Sequence, residues 1–313
     1  MPLHMSVSSI QNFLACRRLY YYSRIKKYEK IQYNLPFIVG RVVNEGLAYV
    51  LGKKPNAIEL MTKYYKTERA KAIKEFTLSP EQLEKLNMQE LVTRGMLLAY
   101  QTKYGKMIRD IQLLGSEVEG AVEVADNIVL VIKMDNIVRI RGKKILHELK
   151  TSKQITPDYV ARIRTDLQSS TYFYVHNIIF EKEPIQEIMY DVIRKPSIKQ
   201  KKKETKDEYA KRLVEWYQKP DDMGGVFHIE RFTKPGISED DVINTISQVG
   251  KEMLRCKEKE DYYMDFDKCH SYFGDVCPMY DLCHNGGESK ENLLLYTIRK
   301  PFHVSKENKG VGK

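Results

Sequence analysis

In the stretch ILHELKTSK, residues 145–153, Glu148 and Lys150 stand two positions apart. On a β-strand alternate side chains share a face, so a carboxylate and an ammonium would lie side by side in an otherwise apolar segment. The preceding apolar run, IVLVIKMDNIV, carries a further acid, Asp135. If the two runs pair as a hairpin through RIRGKK, Asp135 comes close to Glu148. Two buried carboxylates repel and are costly to ionise, and a bound cation offsets that cost. A hard divalent ion, Mg²⁺ or Mn²⁺, takes carboxylate and carbonyl oxygens, so the backbone carbonyl of Leu149 between the two side chains is a third candidate ligand. Lys150 cannot ligate while protonated. It can orient or help deprotonate a water, or stabilise charge growing on a phosphate. The plainer alternative is a Glu–Lys pair beside an unrelated Asp, and so short a D…ExK pattern does not separate the two. Gln168 and Tyr172, four apart on the following helix, share a face that can look back toward the same strands.

A second group is made of thiols. Cys269, Cys277 and Cys283 form CHSYFGDVCPMYDLC, with seven and five residues between them. Cys16 lies roughly 250 residues earlier, in FLACRRLYYY. Three thiols are one short of the four that tetrahedral zinc or a [4Fe–4S] cluster takes, and Cys16 is the natural fourth. The spacing differs from the C-x₂-C pairs of common zinc ribbons, which favours a cluster. Zinc with His270 or His284, and buried unligated cysteines, stay open. Cys256 falls on a helical pattern and reads as an ordinary core cysteine. The tyrosines of RRLYYY read as packing beside the cysteines.

These residues need elements to hold them. SVSSIQNFLACRRLYYYSRI (6–25) reads as a capped helix, and 36–52, 58–76 and 80–104 as three more. The last opens with Ser79 as cap, Pro80 at the first position and Gln82 three after the cap. From 115 the pattern changes to three strands, SEVEGAVEV, IVLVIKMDNIVRI and KKILHELK, joined by short turns. A helix over 156–180, a strand over 185–196, a helix capped by Thr205 with Glu208, and a helix over 238–257 follow. The order predicts an α/β core with the early helices packed around it. The expected parts are a helical region 36–110, a catalytic core 115–196, a basic helical insertion 197–220, a cysteine-bearing segment 256–284 and a flexible tail 304–313.

The chain has 313 residues, 42% hydrophobic and 30% charged, enough for a packed core. Its net charge of +10 tilts the expected partners toward polyanions, nucleic acid first. No run of about 18 apolar residues is present, which argues against a membrane span. The opening residues lack the apolar segment of a secretory signal, so a cytoplasmic, reducing setting is expected, where structural disulfides are rare. No GxxxxGK[ST] phosphate loop is present, so any motor would be a separate protein.

Taken in chain order, these pieces resemble the PD-(D/E)XK nuclease superfamily. Within it they look like the RecB-like, iron–sulfur-containing exonucleases of phages, of AddB-type recombination nucleases and of CRISPR adaptation. SVSSIQNFLACRRLYYY is similar to the family's opening helix with its first cluster cysteine. VIKMDNIV supplies Asp135, HELKTSK supplies Glu148 and Lys150, and QSSTY matches the Q-x₃-Y motif at Gln168 and Tyr172. IMYDVIRKPSI resembles the next strand, and CHSYFGDVCPMYDLC the closing cluster segment. Each motif alone is weak; five in order are specific, and only the helical region 50–110 is poorly matched.

The resemblance implies a restriction-endonuclease-like α/β fold with a mixed central sheet, in one nuclease domain over 1–303. It implies hydrolysis of DNA phosphodiesters, at single-stranded or free ends, in recombination or repair, with a helicase or recombination protein as possible partner. Asp135, Glu148 and the Leu149 carbonyl would hold Mg²⁺ or Mn²⁺. Lys150 would serve the attacking water, and Gln168 and Tyr172 would orient Lys150 or the DNA strand. One departure stands out: in VGRVVNEGL, Asn44 falls where the family carries a metal-binding histidine. Asn44 is then a substitute ligand, or the site is weakened and the chain is a nucleic-acid-binding recombination accessory protein. Glu117 or Glu119 could contribute through water. A zinc-stabilised α/β protein with a non-nuclease role is a third reading.

Overall fold

A computed structural model describes residues 2–218, 225–270 and 276–299. The expected tail 304–313, the last two residues of the insertion 197–220, and 271–275 between Cys269 and Cys277 lie outside the described residues. In chain order the first elements are β1 (Leu3–Met5), α1 (Val7–Ala15), α2 (Arg17–Tyr20), a π-helical turn (Tyr21–Ile25) and β2 (Tyr28–Lys30). Then come α3 (Leu35–Leu51), α4 (Ala57–Glu75), α5 (Pro80–Asp110), β3 (Ile111–Ala125), β4 (Ile128–Ile140) and β5 (Lys143–Ser152). The chain continues through α6 (Pro157–Ile163), α7 (Leu167–Ile179), β6 (Glu187–Arg194), α8 (Lys206–Gln218), β7 (Phe227–Phe232) and α9 (Glu239–Lys259). It ends in α10 (Tyr280–His284), α11 (Lys290–Leu293) and β8 (Tyr296–Ile298).

These elements divide into two compact units, one of residues 1–7 and 33–247, the other of 8–32 and 248–313. The first unit carries a mixed sheet in the order β1-β4-β5-β6-β7, with β3 also on β4. The β3–β4 and β4–β5 pairs are antiparallel hairpins, while β5 and β6 run parallel. The helices α6 and α7 between β5 and β6 form the connection that a parallel crossover requires. β6 is buried along its whole length, as expected of a strand flanked on both sides by β5 and β7. One face of the sheet packs on α3, α4, α5 and α8 through a cluster that includes Val43, Leu47, Met61, Tyr100, Leu149 and Leu213. At Gly46 of α3 that packing leaves no room for a side chain: a Cβ there would stand 2.7 Å from Met61 Cγ and 3.0 Å from Leu97 Cδ2. The Ser79–Gln82 capping box forms as expected, with both reciprocal bonds present.

Several expected elements are corrected. The helix over 156–180 is two helices. Asp166 accepts the N–H of Ser169 at 2.8 Å and so caps a fresh start. The helix over 6–25 breaks at Cys16, whose backbone is extended (φ −165°, ψ 123°). The third early helix runs on to Asp110 past a kink at Tyr104, and β3 starts at once, at Ile111 rather than 116. β1 and β7 were not foreseen. FHIERF is too polar in pattern to stand out as a strand, and becomes one because β6 offers it an edge.

In the second unit β2 pairs with β8. Around them Tyr22 clusters with Met279, Leu282 and Tyr296, and Cys277 and Cys283 pack against this group. The Arg17 guanidinium stacks between the rings of Phe13 and Tyr263, 4.8 and 4.5 Å from their centroids. No helix among the described residues is long and apolar enough to cross a membrane.

Candidate active site

The carboxylates meet where two strands part company. β3 covers one edge of β4 from Ile111 to Ala125. The other edge of β4 is shared: β5 pairs with Asn136–Ile140, and β1 with Ile128–Leu130. Among the described residues, none therefore pairs with 131–135 on that edge. On the other side of the fork, β5 runs on from Glu148 to Ser152 paired only with β6. Asp135 is the first residue beyond the point where the ladder opens. It bridges the fork: the Leu149 N–H donates to Asp135 Oδ2 at 3.2 Å. The N–H and C=O of one strand residue point to the same neighbour. The Leu149 carbonyl is thus aimed into the same fork.

Glu148 is fully buried on the face covered by α7. Its Oε1 accepts from the Lys150 ammonium and from Gln168 Nε2, the latter at 2.9 Å. Gln168 Oε1 accepts from Lys150 at 3.2 Å, and Gln168 Nε2 also donates to the Tyr172 hydroxyl at 3.3 Å. One amide thus ties all three partners together. Glu148 Oε2, by contrast, is buried with no hydrogen-bond partner. An unpaired buried carboxylate oxygen is costly, on the order of 1–3 kcal/mol or more. An oxygen so placed is chemically suited to ligate a cation. Burial pushes the Glu148 carboxyl up to about 8, against the pull of Lys150 and with a further push from Asp135. Burial disfavours the Lys150 ammonium, but Glu148 and Asp135 outweigh it and hold the group above its ordinary range.

Asp135, Glu148, Leu149, Lys150, Gln168 and Tyr172 are therefore brought together as expected. Asn44 lies on α3, with its Oδ1 buried and unpartnered. None of the described hydrogen bonds joins it to the other six. Glu117 is exposed and bonds to Lys133 at 2.6 Å. Three further residues belong to the site and were missed. Tyr190 sits opposite Glu148 in the β5–β6 register and bonds to Tyr159 of α6. Asp166, the cap of α7, acts electrostatically on Glu148, Lys150 and both tyrosines. The cap signal D-x-x-S before QSSTY was available in the sequence; the Tyr190 register was not.

On the opposite face, directly behind the fork, runs a polar relay, buried from Tyr100 to Asn136 and reaching solvent at Ser116. Tyr100 donates to Asp191 Oδ2, and His147 Nε2 lies 3.4 Å from the same oxygen. Asn136 lies 3.5 Å from His147 Nδ1, and Ser116 donates to Asn136 at 2.8 Å. Burial, and the Asp191 charge beside it, hold the Tyr100 hydroxyl well above its ordinary range. The relay fixes the last paired residues, Asn136 and His147, from which the fork opens.

Within the second unit the four cysteines singled out above are neighbours. Burial raises Cys269, Cys277 and Cys283 (Cys283 to about 11), and the other thiols add to it, so that every pair among these four interacts. Cys256 is buried elsewhere, beside Glu252 and Arg255. The Asp265 N–H donates to Cys16 Sγ at 3.3 Å, and Cys269 Sγ lies 3.4 Å from His284 Nε2. Among the described residues no three His, Cys, Asp or Glu side chains are gathered tightly enough to enclose a single metal ion. At the fork the side-chain donors are two, with backbone oxygen beside them. The four thiols are coupled, but spaced more widely than one ion would hold them.

No curated protein matches the chain. Among solved structures, a crystal structure of SSO0001 overlaps 70% of this chain and 85% of its own, at 14% identity and a TM-score of 0.29, too loose an overlap to assign an activity. The model of the PD-(D/E)XK nuclease superfamily matches residues 4–284, from the first strand to the helix that carries the last cysteine. With the mixed sheet and the acidic fork between β4 and β5, this match makes the chain a member of the PD-(D/E)XK superfamily of metal-dependent nucleases.

Proposed function

We propose that the chain is a metal-dependent deoxyribonuclease, an exonuclease working on single-stranded ends. The observation that carries the site is Glu148 Oε2, buried and unpartnered beside Asp135 at the open fork. Asp135, Glu148 and the Leu149 carbonyl would hold Mg²⁺ or Mn²⁺, with Asn44 Oδ1 as a further donor. When bound, such an ion activates water and offsets charge on the attacking and leaving oxygens. Lys150 keeps its proton beside Glu148 and presents an ammonium to the scissile phosphate and the water. Gln168 is a positioning residue: by accepting from Lys150 and donating to Glu148 it holds both in register. Tyr172 fixes the Gln168 amide, and Tyr159 with Tyr190 walls the same face.

The exonuclease reading leans on the resemblance to RecB-like enzymes and on the four coupled thiols. Cys16, Cys269, Cys277 and Cys283 form the donor set of a [4Fe–4S] cluster, with a structural role in the second unit. The rival is zinc on three thiols and His284, whose Nε2 lies 3.4 Å from Cys269 Sγ. Iron and sulfide analysis of anaerobically purified protein separates the two. About four irons and four sulfides per chain, lost in Cys283→Ser and kept in Cys256→Ser, would support the cluster.

The activity test uses single- and double-stranded DNA labelled at either end, with Mg²⁺, Mn²⁺ or EDTA. Cleavage that needs metal and disappears in Lys150→Ala is expected, and the label reports polarity. Absence of cleavage by folded, cluster-loaded protein on every substrate would leave a nucleic-acid-binding protein, with Asn44 the first residue to restore to histidine.

A further inference from the structure

At the opposite end of the sheet from the fork lies a cavity of about 730 Å³, open where the C-terminus of α5 meets the β4–β5 turn and the starts of β5 and β6. Five cations line it: Lys106, Arg109, Arg141, Lys143 and Arg231. Against them stand Asp110 and Glu187. Glu187 is nearly buried and already spent, one oxygen on Lys143 and the other on Arg231. Burial alone would raise its carboxyl, but these two cations outweigh that and hold it below its ordinary range. Asp110 reaches only Arg141, at 3.6 Å. Among the described residues the side chains of Lys106 and Arg109 have no ion-pair partner, so the cavity is left with a surplus of positive charge. The Arg141–Gly142 turn, both residues at positive φ, projects Arg141 over its rim.

We propose that this cavity is a second grip on the phosphate backbone of single-stranded DNA, remote from the carboxylates. The proposal rests on the nuclease reading above for its ligand class. Lys143 and Glu148 are five residues apart on β5, about 17 Å along the strand at ~3.3 Å per residue, and at that odd spacing they point to opposite faces of the sheet. At the stacked rise of ~3.4 Å per nucleotide, that length alone takes about five nucleotides, and passing from one face to the other takes more. A strand whose end occupies the fork would then round the sheet and bring phosphates more than about five nucleotides from that end over Lys106 and Arg109. Phosphate contacts of this kind position the strand without reading its sequence.

The test measures binding of fluorescent (dT)₂₀ by anisotropy across a salt series, in a Lys150→Ala background. The double variant Lys106→Gln/Arg109→Gln removes two contacts, so the log–log salt slope should fall by about 1.4, at 0.7 per single-strand phosphate. A control pair on exposed α4 positions, Lys63→Gln/Lys74→Gln, carries the same change of net charge and should leave the slope in place. The charge-keeping swap Lys106→Arg/Arg109→Lys should restore it. If the cavity pair behaves like the control pair, the cavity is not a DNA contact, even though the parent binds. If the parent itself neither binds (dT)₂₀ nor, with Lys150 intact, cleaves DNA, the nuclease reading fails, and the cavity proposal with it.

Discussion

Glu148→Gln separates a site built for a cation from an ordinary Glu–Lys pair. In the metal-free protein above about pH 8, where Glu148 is ionised, two effects oppose each other. The substitution removes the charge behind the unpartnered Oε2, a relief of about 1–3 kcal/mol. It also takes away the carboxylate facing Lys150, and breaking a buried pair costs about 3–5 kcal/mol when the remaining charge is fully enclosed. Lys150 is not fully enclosed; its side chain is 32% exposed, and Gln168 and Asp135 remain near it. The two effects are then of similar size, and metal-free stability should change by no more than about 1 kcal/mol. The response to metal has no such compensation. At a hundredfold excess of cation over its dissociation constant, the wild type gains about 2.7 kcal/mol. For a unit of this size that is a shift of roughly 5–10 °C in Tm. Thermal melts followed by circular dichroism, with EDTA, Mg²⁺ or Mn²⁺, read it directly. Asp135→Asn should abolish the shift as Glu148→Gln does, and Lys150→Gln should retain it. An equal shift in wild type and Glu148→Gln would refute the assignment of Oε2 to a cation.

Gln168→Ala should lower kcat by about 10–100-fold while the metal-induced Tm shift persists, because the amide aligns ligand and ammonium without being a ligand itself; loss of the shift instead would make it part of the metal site. His176 is buried and held neutral, its pKa pushed down to about 4 by burial. Between pH 6.5 and about 4 the unfolded chain binds the extra proton, so stability present above that window should be lost on acidification, by about 2 kcal/mol after solvent screening. His176→Phe should flatten that part of the profile in urea melts at stepped pH. Gly46→Ala gains up to about 1 kcal/mol in helix propensity but overpacks Met61 and Leu97 by about 1–3 kcal/mol. A net loss of about 1 kcal/mol, or roughly 2–4 °C in Tm, is expected.

Much of the site was readable because its residues contradict their surroundings. Asp135 and Glu148 are acids inside apolar strands, and the period-two rule brings Glu148 and Lys150 to one face. What was not readable is where the β4–β5 ladder stops. That depends on β1 taking over the edge of β4, and three residues, Leu3–Met5, carry no signal of it. The break before α7 was missed because ARIRTDLQSS keeps helical periodicity through the gap, and only the Asp166 cap marks it. Tyr190 and Asp191 lie in a strand whose side chains are all buried, so alternation could not tell which face each residue serves.

The second unit is assembled from segments made far apart in time. Cys16 leaves the ribosome roughly 270 residues before Cys283, a delay on the order of 13–50 s at 5–20 residues per second. During that interval the sheet and its helices, complete by residue 247, can fold while α1 and α2 wait without partners. The thiol group cannot close until Cys283 has been made. Any cluster would be inserted after the acidic fork has formed, so nascent chains would pass through a stage with the fork present and the cysteines still open to oxidation.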